Sequence, residues 1–187
     1  MEIEEKSGIQ DLQPRICSPG AGSSKPAAPS GKITVVGLDD DLTDIKTRLV
    51  RDSRELEIVS LVGMGGIDLV IVGSLPNLEV LKLKRMAFKG GEWEPTEGGF
   101  CKLKFLLLAH LNLEHWRADS FHFPSLQHLV IKGIFRLKEI PCGIGEILTL
   151  QLIELHNVDG SLVASVKEMQ EEQRDLGNEG LKVLIHK

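Results

Sequence analysis

Ser74-Leu75-Pro76-Asn77-Leu78-Glu79-Val80-Leu81-Lys82-Leu83 sets leucines at positions 75, 78, 81 and 83. The same spacing returns at Phe100, Leu103, Leu106 and Leu108, then at Phe123, Leu126, Leu129 and Ile131, and again at Ile147, Leu150, Ile153 and Leu155. The starting positions 75, 100, 123 and 147 are almost evenly spaced. One structural unit is therefore used four times. Each unit ends on a pair of apolar residues two apart, the mark of a short strand with one buried face. Strands are expected near 79–83, 104–108, 127–131 and 151–155. Alternation turns Leu81 and Leu83, Leu106 and Leu108, Leu129 and Ile131, and Ile153 and Leu155 toward a shared interior.

The period falls inside the leucine-rich-repeat range of roughly 20–29 residues. One coil cannot bury its apolar ridge alone, whereas stacked neighbours can, and about three repeats are needed for stability. The fold class is therefore α/β, a short leucine-rich-repeat solenoid of about four repeats over residues 75–157. Residues 158–187 read as a C-terminal cap. Leu162, Val163, Val166 and Met169 make an apolar stripe at helical spacing, and Gly180-Leu181-Lys182-Val183-Leu184-Ile185 reads as a last strand. Glu168, Glu171, Glu172 and Asp175 form the solvated side of that helix. At the other end, 69–72 or 56–62 is expected to pair with the first repeat strand and blunt its edge.

Upstream, residues 1–31 hold Pro14, Pro19, Pro26 and Pro29 around a Gly/Ser/Ala-rich run. Such a segment buries too little apolar surface to offset its ordering entropy, so a disordered tail is expected. The β-branched run 33–36 reads as a strand. Asp39, Asp40 and Asp41 suit a helix N-terminus, and Leu42, Ile45 and Leu49 follow at helical spacing. A second apolar run, 56–62, leads into Gly63-Met64-Gly65-Gly66. A strand followed by a glycine loop is how a phosphate-binding loop begins.

Aromatic residues make up 4% of the chain and Tyr is absent, so burial must rest on Leu, Ile and Val. A net charge of −5, without clustered Lys and Arg, argues against a nucleic-acid binder. Cys17, Cys101 and Cys142 are three and widely spaced, which favours reduced thiols in the cytoplasm over a disulfide framework. Glu2, Glu4 and Glu5 with no apolar core do not make a signal peptide, and no stretch is apolar over the ~18 residues that span a bilayer. His110, His115 and His122 with Cys101 do not match zinc spacings, so no metal is expected. No nucleophile elbow is present and no enzyme is expected.

The segments Val36-Gly37-Leu38-Asp39-Asp40-Asp41-Leu42 and Leu56-Glu57-Ile58-Val59-Ser60-Leu61-Val62-Gly63-Met64-Gly65-Gly66-Ile67 resemble the start of the NB-ARC domain of plant disease-resistance proteins. Residues 74–83 and 161–187 resemble the end of the repeat region in the same family, of the late blight resistance homologue type. The resemblance makes 32–74 an N-terminal NB-ARC remnant. It implies an intracellular immune receptor that binds ADP or ATP and senses pathogen effectors through its repeats. The sequence departs from the family at Asp68, Leu69 and Val70, which stand where the final Gly-Lys-Thr of the phosphate loop belongs. The missing Lys would reach the phosphates and the missing hydroxyl would hold Mg²⁺. The loop of Gly63, Gly65, Gly66 and Asp68 is therefore degenerate, and no nucleotide cofactor is expected.

The resulting expectation is a truncated, receptor-like defence protein acting through protein–protein contact, with a pathogen effector or host immune protein as partner. The alternatives are a residual ADP/ATP-binding switch, or a non-functional splice or gene-model product joined near 67–75. Outward strand positions are the expected contact surface: Val80 and Lys82, Phe105 and Leu107, His128 and Val130, Leu152 and Glu154. Lys84, Ala109, Lys132 and His156 continue the same rows. Phe105, Leu107, Val130 and Leu152 would form an exposed apolar strip. Trp93 and Trp116 are either packed on the edge of the coils or partner anchors.

Overall fold

The computed structural model describes residues 32–36, 57–62, 69–85, 87 and 90–187. The tail at 1–31, the helix expected from Asp39 to Leu49, and the loop of Gly63, Gly65, Gly66 and Asp68 lie outside those residues.

Apolar runs that alternate in side-chain direction, separated by connections long enough to recross, can pair as parallel neighbours. Among the described residues seven strands do so: β1 (Lys32–Val36), β2 (Glu57–Val62), β3 (Leu78–Lys84), β5 (Phe105–Ala109), β7 (His128–Lys132), β8 (Leu152–His156) and β9 (Lys182–His186). They lie side by side in chain order, every pair parallel. Two short strands, β4 (Glu92–Trp93) and β6 (His115–Trp116), pair parallel in a second ladder. Among the described residues the helices are α1 (Leu69–Gly73), α2 (Cys142–Gly145) and α3 (Gly160–Asp175), with a 3₁₀ turn at Ser120–His122.

The register ties the repeats together. Leu81 faces Leu106, which faces Leu129, which faces Ile153; Leu83, Leu108, Ile131 and Leu155 form a parallel row. All eight side chains are completely buried. Val59 and Leu61 of β2 prolong both rows. The anchors that open each unit, Phe100 with Leu103, Phe123 with Leu126 and Ile147 with Leu150, are buried too, each pair closed by an amide-to-carbonyl bond of 3.0 Å.

A second repeated device closes each strand. Arg85, His110, Gly133 and Asn157 follow β3, β5, β7 and β8 in turn, and all have positive φ, between 48° and 59°. Each donates its N–H to the carbonyl that ends the next strand: Arg85 to Ala109 at 3.0 Å, His110 to Lys132 at 2.8 Å, Gly133 to His156 at 2.9 Å, Asn157 to His186 at 3.0 Å. Left-handed backbone costs a residue with a Cβ about 1–2 kcal/mol, so this turn is held by the inter-strand bond against local preference at Arg85 and His110. Only Gly133 and Asn157 are residue types that favour it.

The layer behind the sheet buries Trp93, Phe100, Trp116 and Phe123. Trp93 stacks on Trp116 at 5.5 Å, and both rings meet Phe123 edge-on. Their burial makes them core and rules out a partner-anchor role. Of the two segments considered as partners of the first repeat strand, 56–62 pairs with it as β2, whereas Leu69–Gly73 forms α1. The parallel crossing from β2 to β3 requires the chain to recross, and α1 lies in that connection. Leu162, Val166 and Met169 seat α3 in the layer behind the sheet, Gly145 closing against Met169, while Glu168, Glu171, Glu172 and Asp175 face solvent. At this end of the sheet β9 adds a strand beside β8, with Leu184 and Ile185 exposed at 45% and 40%. Cys142 is an exposed free thiol, and Cys17 lies outside the described residues. Among the described residues no helix is long and apolar enough to cross a membrane.

Candidate functional site

The same alternation that buries the leucine rows sends a second set of side chains to the opposite face of the sheet. Register places them in three rows. Val80, Phe105, His128 and Leu152 form the first, Lys82, Leu107, Val130 and Glu154 the second, and Lys84, Ala109, Lys132 and His156 the third. β9 adds Lys182, Leu184 and His186 to these rows in turn. All eight residues expected to line a contact surface therefore share one face.

Their exposure differs from the expectation in one respect. Phe105, Leu107 and Leu152 are half-buried, but Val130 is only 8% exposed. Neighbouring strands run about 4.8 Å apart, so taller side chains at Leu107 and Glu154 shade the short Val130 between them. An open apolar strip is therefore not what this face offers. Ala109 is covered as well.

A chain of polar and aromatic contacts crosses the rows diagonally. The Lys82 ammonium sits 5.9 Å from the centre of the Phe105 ring. Phe105 meets the His128 imidazole edge-on at 4.9 Å. His128 Nε2 lies 2.8 Å from one Glu154 carboxylate oxygen, and His156 Nε2 lies 3.1 Å from the other. The His156 ring then stacks on His186 at 4.2 Å, the planes 7° apart. Glu154, held between two imidazoles, has its carboxyl lowered from the usual range, first by the hydrogen bond with His156 and then by that with His128, with partial burial opposing them. The surface combines a cation, an aromatic ring, imidazoles and a carboxylate within reach of one another, a composition suited to polar protein contact.

The other histidines are not brought together. His110 is exposed at its strand-closing turn, His115 is exposed on β6, and His122 is buried, its Nδ1 accepting the Asp119 N–H at 2.9 Å. Sequence reading named Lys82, Phe105, His128 and Glu154 as surface positions but missed that they touch, and it missed His186. The recoverable signal was Glu154-x-His156 on one strand, with His186 at the position matching His156 on the last.

No family model matches the chain. Over about three fifths of its length the chain is similar to curated plant proteins. Those relatives are putative late blight resistance protein homologues of Solanum demissum. One of them is 42% identical over 115 residues, 60% of this chain and 15% of the relative. A second is 40% identical over 118 residues, 62% of this chain and 9% of the relative. A third is 41% identical over 113 residues, 59% of this chain and 9% of the relative. The chain thus spans a small part of the length of each.

Proposed function

We propose that the chain is a leucine-rich-repeat solenoid module working in plant defence through protein–protein contact in the cytoplasm, without catalysis and without an ADP or ATP cycle. The contact surface is the sheet face of Val80, Lys82, Phe105, Leu107, Leu152 and Glu154 with His128, and the partner is a pathogen effector or a host immune protein. Val130, expected there, supports the face from beneath. One observation carries the reading. Strands one repeat apart stand in register, so outward polar and aromatic side chains line up in rows on one face while leucines and isoleucines line up on the other. The relatives' names supply the defence context.

The test is quantitative capture from infected leaf extract by the immobilised chain, with Phe105→Asp and Lys82→Glu as face variants and Glu168→Lys on α3 as control. The reading expects the same partner to fall at least tenfold with both face variants and to stay with the control. A partner retained by both face variants overturns it. Val130→Asp is unsuited, because a buried charge reports on folding.

A further inference from the structure

We propose that Glu154, His156 and His186 form a binding site for a divalent transition metal of the zinc class at the C-terminal end of the polar face. One ligand atom from each of the three lies within 4.8 Å of those of the other two. A four-coordinate ion with bonds of ~2.1 Å sets its ligand atoms about 3.4 Å apart, and the His156 Nε2 to Glu154 Oε2 distance of 3.1 Å is close to that value. His186 completes the set by a pivot about its Cβ–Cγ bond, a torsion with a broad, shallow profile. That pivot unstacks it from His156, since parallel rings 4.2 Å apart cannot both aim in-plane lone pairs at one ion.

The scaffold favours this arrangement. Glu154 and His156 lie two apart on β8 and so share a face, while β9 pairs His186 directly with His156. His128 holds the carboxylate oxygen that His156 does not, a second partner that fixes the carboxylate's orientation as metal sites require. Two imidazoles with one carboxylate suit Zn²⁺, Ni²⁺ or Cu²⁺ and not Mg²⁺ or Ca²⁺, which take mostly oxygen ligands. A fourth position stays open to water or to a ligand from another molecule. Lys132 is the cation set opposite His156 in register; it is exposed and free to swing away.

Calorimetric titration of the full chain with Zn²⁺ tests the proposal, with Co²⁺ absorption as a spectroscopic readout of imidazole ligation. The expected result is one ion per chain at micromolar affinity. His186→Ala and Glu154→Gln should each weaken binding at least tenfold and lose the Co²⁺ bands, with His115→Ala unchanged. His186 ends an exposed edge strand, so its variant keeps the fold; a circular dichroism spectrum verifies that. Absence of Zn²⁺ binding by the wild type overturns the proposal. So does binding that survives both variants, which would place the ion elsewhere.

Discussion

Leu106→Ala is the sharpest probe of the packing. Leu106 is completely buried, with Leu81 and Leu129 on the strands to either side. Truncation removes three carbon groups, about 2.4 kcal/mol at ~0.8 kcal/mol each. The flanking leucines are held by their own strands and cannot close the gap, so a cavity term raises the loss to about 3–4 kcal/mol. Leu107 supplies the control. It is the same residue type on the same strand, one position along and therefore on the opposite, half-buried face. Leu107→Ala should cost about 1 kcal/mol, in proportion to the smaller apolar area it removes from water. Urea denaturation followed by circular dichroism reads both, as a shift in midpoint at constant slope. For a domain of this size the Leu106 variant should melt about 10–15 °C lower. Equal losses at 106 and 107, or a loss below ~1 kcal/mol at 106, would refute the two-faced strand.

Other expectations follow from local geometry. A Cβ on Gly143 would lie 2.6 Å from the Asp119 Cα, so Gly143→Ala must push α2 away from that backbone and cost about 1–3 kcal/mol by chemical denaturation. Gly133→Ala combines a φ of +59° with a Cβ 2.4 Å from His110 Nδ1, and should lower the thermal midpoint while His110→Gly raises it. Asp159 caps α3 by accepting the Ser161 N–H at 2.9 Å and faces Lys138 at 3.0 Å; the hydrogen bonds from Ser161, then Lys138, hold its carboxyl well below the usual range. A depressed carboxylate stabilises the fold above its unfolded value of ~4, and that contribution disappears as pH falls through the folded value. An acid titration of stability should therefore show a loss below about pH 4 that is smaller in Asp159→Asn.

The buried rows were legible because two periods coincide in the sequence, the alternation inside a strand and the return of Leu81, Leu106, Leu129 and Ile153 once in every repeat. Strand ends were read one residue early at 105–109, 128–132 and 152–156. The ends are set by the positive-φ turn, and Arg85 and His110 carry no sequence mark of it. Trp93 and Trp116 held the signal for the β4–β6 ladder, since the interval between them is the repeat itself. The contact chain from Lys82 to His186 was not legible, because it depends on which row each side chain occupies across five strands. The shading of Val130 escaped for a related reason: exposure depends on the heights of neighbours contributed by other repeats.

Methyl-resolved nuclear Overhauser spectroscopy tests the stack itself. Strands at ~4.8 Å spacing should give cross-peaks for Leu81 with Leu106, Leu106 with Leu129 and Leu129 with Ile153, and none for Leu81 with Ile153. A direct Leu81–Ile153 cross-peak, or absence of the three neighbouring ones, would contradict parallel strands laid side by side in chain order.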